Sequence, residues 1–200
     1  VSLLAVSKTR PASAVRELAA AGQRAFGENY VQEGAAKARE LADLGLEWHL
    51  IGHLQSNKCR EAAEAFDWVQ SLDRVKLVAA LDQARPADRP PLNVLIQVNV
   101  DGEAGKSGCR PDEVAALAEA IAAAPNLRLR GLMAIPEPHP DPAVRRAAFR
   151  ALRRLFDDLR ARHPGADTLS MGMSEDFALA IEEGSTMVRV GTALFGPRGP

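Results

Sequence analysis

The chain has 200 residues, of which 46% are hydrophobic and 26% are charged. This is the composition of an ordinary globular protein and excludes a largely disordered one. The formal net charge of -1 at pH 7, and the lack of a basic stretch interleaved with aromatic residues, exclude a nucleic-acid partner held by bulk electrostatics. No apolar run in the sequence approaches the length of a membrane span, and no signal peptide is visible.

The two cysteines, Cys59 and Cys109, lack a second cysteine or a histidine at metal-ligand spacing. We therefore expect no metal site. So few cysteines are typical of proteins in a reducing compartment, and we expect a cytoplasmic location.

Short apolar runs alternate with stretches of helical periodicity from end to end, so we expect one domain over residues 1–200. Because nothing after Phe195 could form a final helix, we also expect a helix to precede Val1, outside the present sequence. The runs are mostly continuous in apolar residues, as in parallel strands buried on both faces. The predicted strands are Leu3–Ser7, Arg24–Gly27, Glu47–Gly52, Trp68–Ser71, Asn93–Val100, Arg128–Ala134, Thr168–Met171 and Met187–Val190.

Seven helices are predicted between these strands, and their ends carry recognisable signals. Gly22 and Gly45 mark carboxyl ends, and Asp141-Pro142 marks an amino end. The predicted helices cover 11–21 and 31–44, begin near 56, 73, 110 and 141, and finally cover 174–184.

Eight strands alternating with helices predict an α/β fold, a (β/α)8 TIM-type barrel. An open doubly wound sheet is the alternative, because alternation alone does not show closure. The barrel is favoured because no glycine-rich nucleotide-binding motif opens the first helix.

In such a barrel, functional groups collect where strands end. Lys8 ends the first strand, and an apolar surrounding favours the neutral amine that condenses with aldehydes. The alternative is an ordinary surface lysine.

Ser174, Gly191 and Thr192 fall after strands seven and eight, where this fold often binds phosphate. Glycine lets backbone N–H groups approach an anion, and the two hydroxyls add donors. Helix capping is the alternative role for Ser174.

Three further strand ends carry candidate ring contacts. Arg189 is a possible donor to a pyridine nitrogen, or else a structural partner of an acid such as Glu183. Asn29 could bond a phenolic oxygen or simply serve its turn, and Met133 could touch a ring or fill the core. His53 and Lys106 lie in polar loops with no assigned role.

Seven segments of the sequence resemble the pyridoxal phosphate homeostasis proteins, in the same order along the chain. They are 5–9 (AVSKT), 26–30 (FGENY), 48–58 (WHLIGHLQSNK), 106–108 (KSG), 130–135 (RGLMAI), 169–176 (LSMGMSED) and 184–192 (GSTMVRVGT).

This resemblance implies a barrel like the N-terminal domain of bacterial alanine racemase, binding pyridoxal 5′-phosphate as an internal aldimine on Lys8. It implies phosphate contacts from Ser174, Gly191 and Thr192, with Arg189 at the pyridine nitrogen and Asn29 and Met133 near the ring. It further implies a cofactor carrier that affects amino-acid balance, without established turnover or assigned catalytic residues. The implied recipients are apo-enzymes that use the cofactor, and one self-contained barrel predicts a monomer.

Three alternatives remain open. A weak amino-acid racemase would use Lys8 on the same cofactor, and an aldolase-type barrel would use Lys8 on a sugar phosphate. In a plain binding scaffold, Lys8 would be structural.

Overall fold

The computed structural model describes residues 1–102, 105 and 107–196. Within them, eight parallel strands form one sheet in sequence order. Each predicted strand is present, with ends that differ by at most three residues. The strands are β1 (Ser2–Val6), β2 (Ala25–Glu28), β3 (Glu47–Leu50), β4 (Trp68–Leu72), β5 (Leu92–Gln97), β6 (Leu127–Met133), β7 (Thr168–Ser170) and β8 (Met187–Val190).

The sheet closes on itself because β1 pairs with β8 as well as with β2. Four residue pairs join β1 to β8, from Ser2 with Met187 to Ala5 with Val190. Every neighbouring pair in the ring is parallel. The predicted (β/α)8 barrel is confirmed, and the open doubly wound sheet is excluded.

Helices connect successive strands and cover the outside of the barrel. Each predicted helix is present, and a short one follows β8. They are α1 (Ala12–Ala20), α2 (Val31–Glu40), α3 (Cys59–Ala65), α4 (Val75–Ala84), α5 (Val114–Ala122), α6 (Pro142–Arg162), α7 (Phe177–Glu182) and α8 (Thr192–Phe195).

Two predicted helix boundaries were wrong. The helix predicted over 31–44 ends at Glu40, and a 3-10 turn over Ala42–Leu44 leads to Gly45, whose φ of 59° reverses the chain. The helix predicted from Ser174 begins at Phe177, because 173–176 form a hydrogen-bonded turn first: Asp176 and Phe177 both donate their N–H to the Met173 carbonyl.

The main core lies between the sheet and the helices, where Phe26, Phe66, Phe149 and Phe156 are fully buried. Two smaller clusters fill the inside of the barrel: Leu4, Ile51 and Met187 form one, and Trp68, Leu95 and Met133 form the other. The carboxyl ends of all eight strands therefore meet above a filled interior, as this fold requires. Among the helices described, none is both long and apolar enough to cross a membrane.

Candidate functional site

A cavity of about 1100 Å³ opens where the strands end. It is large enough for a ligand of cofactor size. Loops that follow strands on opposite sides of the barrel contribute to its lining. Of the seven predicted site residues, those that line it are Lys8, Asn29, Ser174, Arg189, Gly191 and Thr192.

Met133 is the predicted site residue that does not line the cavity. It is fully buried and packs with Trp68 and Leu95 inside the barrel, so the core-filling role fits its position and ring contact has no support. His53 lines the cavity, and its Nδ1 lies 3.4 Å from the Ser107 hydroxyl. Lys106 lies outside the described residues.

A tight turn after β1 presents Lys8 to the cavity. Arg10 donates its N–H to the Ser7 carbonyl at 3.0 Å, which closes the turn around Lys8 and Thr9. Thr9 has a φ of 63°, a conformation that is strained for a β-branched residue. The Thr9 N–H donates to Glu33 Oε1 at 2.8 Å, so helix α2 holds the turn in place. Such strain persists only where the surroundings determine the conformation, which is common at functional sites.

A buried polar network under this turn was not predicted from the sequence. The Lys37 ammonium donates to Glu28 Oε1, to Glu33 Oε1 and to the Ser7 carbonyl, each at 2.8 Å. Ser7 also donates its hydroxyl to Glu28 at 2.5 Å. Burial raises the pKa of Glu28, although the Lys37 and Ser7 hydrogen bonds oppose this shift. The i,i+4 spacing of Glu33 and Lys37 was the available signal, but it predicts only a surface pair.

On the far side of the cavity, Ser174 faces strand β8 rather than capping a helix. Its hydroxyl accepts the Gly191 N–H at 3.3 Å. The adjoining turn is closed by Asp176, whose Oδ1 accepts the Met173 N–H at 2.7 Å. The capping role considered for Ser174 is therefore wrong, and its hydroxyl lies beside Gly191 at the cavity wall.

Gly191 brings strand β8 close to the end of β1. A Cβ at this position would lie 3.3 Å from the Val6 carbonyl oxygen, which is tighter than ordinary packing. The backbone immediately after β8 thus lines the cavity with no side chain covering it, and Thr192 follows at the rim.

Arg189 is 3% exposed and is held by two acceptors. Its Nη1 donates to the Ser170 hydroxyl at 2.7 Å, and its Nη2 donates to the Ala134 carbonyl at 2.8 Å. Burial lowers the pKa of Arg189 to about 10, so the guanidinium stays charged at neutral pH. The considered pairing with Glu183 is wrong, because Glu183 instead accepts hydrogen bonds from Arg146 and Arg150.

Asn29 is placed by a close contact between two loops. A Cβ on Gly52 would collide with the Asn29 carbonyl, so glycine after β3 allows the Asn29 backbone to pass directly above it. Both residues line the cavity, where Asn29 is half-buried.

Cations outnumber carboxylates among the described residues of the cavity wall. Lys8, Arg10, Arg145 and Arg189 line it, against Glu175 and Asp176. A wall with this excess of positive charge favours an anionic ligand.

Comparison with known proteins identifies the family of this chain. The family model for the alanine racemase N-terminal domain matches residues 1–199. The pyridoxal phosphate homeostasis protein of Pseudomonas aeruginosa is 62% identical over 198 residues, which cover 99% of this chain and 85% of that protein. The protein of the same name in Escherichia coli K12 is 54% identical over 201 residues, covering 99% and 86%. The chain belongs to the pyridoxal phosphate homeostasis protein family.

Solved structures agree with this family membership. PipY of Synechococcus elongatus, solved with pyridoxal phosphate bound, is 43% identical with a TM-score of 0.89, covering 98% of this chain and 92% of that one. Alanine racemase of Corynebacterium glutamicum is 22% identical with a TM-score of 0.76, covering 99% and 57%. The second likeness shows that this family member shares its barrel fold with the racemase.

Proposed function

We propose that this protein binds pyridoxal 5′-phosphate in the cavity at the carboxyl ends of the strands and serves as a carrier that buffers the cofactor. The observation that carries the proposal is the convergence of Lys8 with Ser174, Gly191 and Arg189 on one cavity. The names of the relatives and the cofactor bound to PipY support the same ligand.

The residues at the far wall fit a phosphate group. The Ser174 hydroxyl and the Gly191 backbone are adjacent. A Cβ at position 191 would narrow the space beside them. Thr192 adds a second hydroxyl at the rim. Hydroxyls and bare backbone N–H groups are the usual phosphate donors in this part of the fold.

Arg189 suits the nitrogen of a pyridine ring. Because the guanidinium is charged and has donors only, a ring nitrogen facing it must accept and stay unprotonated. A ring held in this state draws electrons less strongly, which suits storage of the cofactor better than catalysis. Asn29, from the loop above Gly52, lines the same cavity and is assigned the contact with the ring edge.

Lys8 is the residue proposed to hold the aldehyde. Its neutral amine would hold the aldehyde carbon through a carbon–nitrogen double bond, with the aldehyde oxygen lost as water. When bound, the cofactor would supply an electrophilic carbon that an amine of a recipient apo-enzyme could take over from Lys8.

A carrier is favoured over a racemase because two-sided proton transfer needs a base on each face of the substrate carbon. Tyr30, the single tyrosine of the sequence, is 65% exposed and does not line the cavity. This residue is therefore not placed to supply a second base.

The proposal is tested by the absorbance spectrum of the protein mixed with pyridoxal phosphate, before and after borohydride. We expect a band near that of a lysine-linked cofactor, and borohydride should fix the cofactor to the peptide containing Lys8. Lys8→Ala should lose the band, whereas Lys76→Ala, an exposed lysine on α4, should keep it. An unchanged spectrum in Lys8→Ala would contradict the assignment.

The carrier and racemase alternatives differ in exchange at the amino-acid α-carbon. We expect the loaded protein in deuterated water to leave the α-proton of alanine in place over hours. Rapid exchange that depends on Lys8 would favour the racemase.

A further inference from the structure

A chain of hydrogen bonds crosses the barrel interior from Arg189 on β8 to Glu47, the first residue of β3. Arg189 Nη1 donates to the Ser170 hydroxyl at 2.7 Å, and Ser170 donates to Gln70 Oε1 at 2.7 Å. Gln70 Nε2 lies 2.9 Å from His49 Nδ1, and His49 Nε2 lies 2.8 Å from Glu47 Oε1. Four hydrogen bonds thus link strands β8, β7, β4 and β3.

The chemistry of its two ends fixes the direction of every bond in the chain. Arg189 has donors only, and an ionised Glu47 has acceptors only. The Ser170 hydroxyl accepts from Arg189 and therefore donates to Gln70 Oε1. Gln70 then offers its amide N–H to His49 Nδ1, which leaves the proton of the neutral imidazole on Nε2, facing Glu47. His49 is thereby held as a single tautomer.

Burial makes this arrangement costly to change. Ser170, Gln70 and His49 are fully buried, so no solvent can replace a lost partner. The Gln70 amide also contacts Met187 Sδ at 3.2 Å, and the His49 ring stacks on Trp68 with centroids 5.0 Å apart. These contacts leave the Gln70 amide and the His49 ring little freedom to turn over and reverse the direction of their hydrogen bonds.

Burial favours the neutral form of His49, against the main effect of the charges around it. Burial is the largest influence and lowers the pKa of His49, and Arg130 acts in the same direction, while Glu47 and Asp67 oppose them. A neutral ring is required for Nδ1 to accept from Gln70, so the effect of burial and the hydrogen-bond geometry agree.

We propose that Gln70 and His49 are positioning residues that orient Arg189 toward the cavity through Ser170. Their effect on ligand binding rests on the proposed function, whereas the coupling between His49 and Arg189 does not. Of the two acceptors of Arg189, the Ala134 carbonyl is fixed by the backbone, and the Ser170 hydroxyl is a rotor that Gln70 holds. Removing Gln70 or Ser170 therefore frees one arm of the guanidinium.

The first test measures coupling in the free protein by NMR of ¹⁵N-labelled histidine. Ser170→Ala removes the hydroxyl that orients the Gln70 amide, so we expect the ¹⁵N resonance of His49 Nδ1, which accepts from that amide, to shift, while Glu47 keeps the proton on Nε2. Ser185→Ala is the matched control, because Ser185 is also a buried serine that bonds only backbone carbonyls. A His49 spectrum that is the same in Ser170→Ala and the wild type would overturn the inference.

The second test measures the dissociation constant for pyridoxal phosphate. We expect Gln70→Leu and Ser170→Ala each to weaken binding roughly three- to tenfold, the value of one buried hydrogen bond. Ser185→Ala should stay within about twofold, and so should Glu47→Gln, which keeps an acceptor for His49.

The outcomes separate the two proposals. Failure of the wild-type protein to bind pyridoxal phosphate would contradict the proposed function and leave the NMR test standing. Normal binding by both Gln70→Leu and Ser170→Ala would overturn the positioning role alone. If Gln70→Leu does not fold, Ser170→Ala carries both measurements.

Discussion

Arg189 shows how burial changes a cation without removing its charge. Its guanidinium is almost inaccessible and its pKa is lowered to about 10, yet it remains protonated at neutral pH. Its two acceptors satisfy only part of its donor capacity, and the residue lines the cavity. A buried cation of this kind binds a neutral acceptor such as a pyridine nitrogen strongly, because no water competes for it.

Gly191→Ala tests the phosphate side of the cavity. The added Cβ would lie 3.3 Å from the Val6 carbonyl oxygen, so the chain around Gly191, with the Ser174 hydroxyl beside it, would have to shift within the proposed phosphate site. We expect pyridoxal phosphate to bind roughly tenfold more weakly, as for loss of one charge-assisted hydrogen bond. Gly165→Ala is the control, since its Cβ would meet no atom within 4 Å. Equal affinities in the two variants would argue against a phosphate at Gly191.

His49 predicts a pH dependence of stability. The pKa of His49 is lowered in the folded protein from its ordinary value of 6.5. Below pH 6.5 the unfolded chain therefore binds a proton at His49 that the folded protein does not bind. Protonation of His49 in the unfolded chain should therefore lower the free energy of unfolding as the pH drops below 6.5, by at most about 1.4 kcal/mol per pH unit. The pH range ends at 4.5, the ordinary pKa of a glutamate such as Glu47, because carboxylates begin to titrate there. Urea denaturation at several pH values measures this change in stability. His49→Gln should show a shallower slope, and an identical slope would contradict the buried neutral imidazole.

At the scale of elements, helix α2 supports the loop that carries Lys8. Lys37 on α2 reaches the Ser7 carbonyl at the end of β1 and the Glu28 carboxylate at the end of β2. Glu33 on the same helix holds the backbone of Thr9. One helix thus fixes the ends of two strands, which explains why a strained turn is stable at the cavity.

Lys37→Met tests this support. The Lys37 and Glu28 side chains are 8% and 0% exposed, so losing the ammonium leaves a buried carboxylate without its partner. We expect a loss of about 3–5 kcal/mol in the free energy of unfolding, measured by urea denaturation. The double variant Lys37→Met with Glu28→Gln removes the stranded charge and should recover part of the loss. A double variant no more stable than Lys37→Met would show that Lys37 and Glu28 do not stabilise the protein through their opposite charges.

At the scale of the whole molecule, closure makes distant parts of the barrel depend on one another. Phe156 on α6 packs against Gly131 on β6, where a Cβ on the glycine would meet the ring at 2.9 Å. The two tryptophans, Trp48 and Trp68, lie on β3 and β4. Since the eight strands form one ring, loss of packing at β6 should also destabilise β3.

Phe156→Ala is expected to lower the free energy of unfolding by about 3–5 kcal/mol, through lost burial and the cavity it leaves. Urea transitions followed by tryptophan fluorescence and by far-ultraviolet circular dichroism should shift together. Val144→Ala on the same helix, where the side chain is 46% exposed, should change stability by less than about 0.5 kcal/mol. Separate transitions for the two probes would mean that the barrel does not unfold as one unit.

Local patterns determined much of this protein. Continuous apolar runs located all eight strands because parallel strands are buried on both faces, and Gly22 and Asp141-Pro142 marked helix ends through backbone chemistry that needs no tertiary partner. The ends of those strands supplied Lys8, Asn29, Ser174 and Arg189, since a barrel gathers strand ends at one edge.

Closure, by contrast, was decided only by the pairing of β1 with β8, residues far apart in sequence. The fold also decided that Ser174 faces Gly191, that Met133 fills the core and that His49, Gln70 and Ser170 align across the interior. Hydrogen bonds between strands depend on register and on which face each side chain takes. Neither is written in the local pattern, and both are set when the sheet closes.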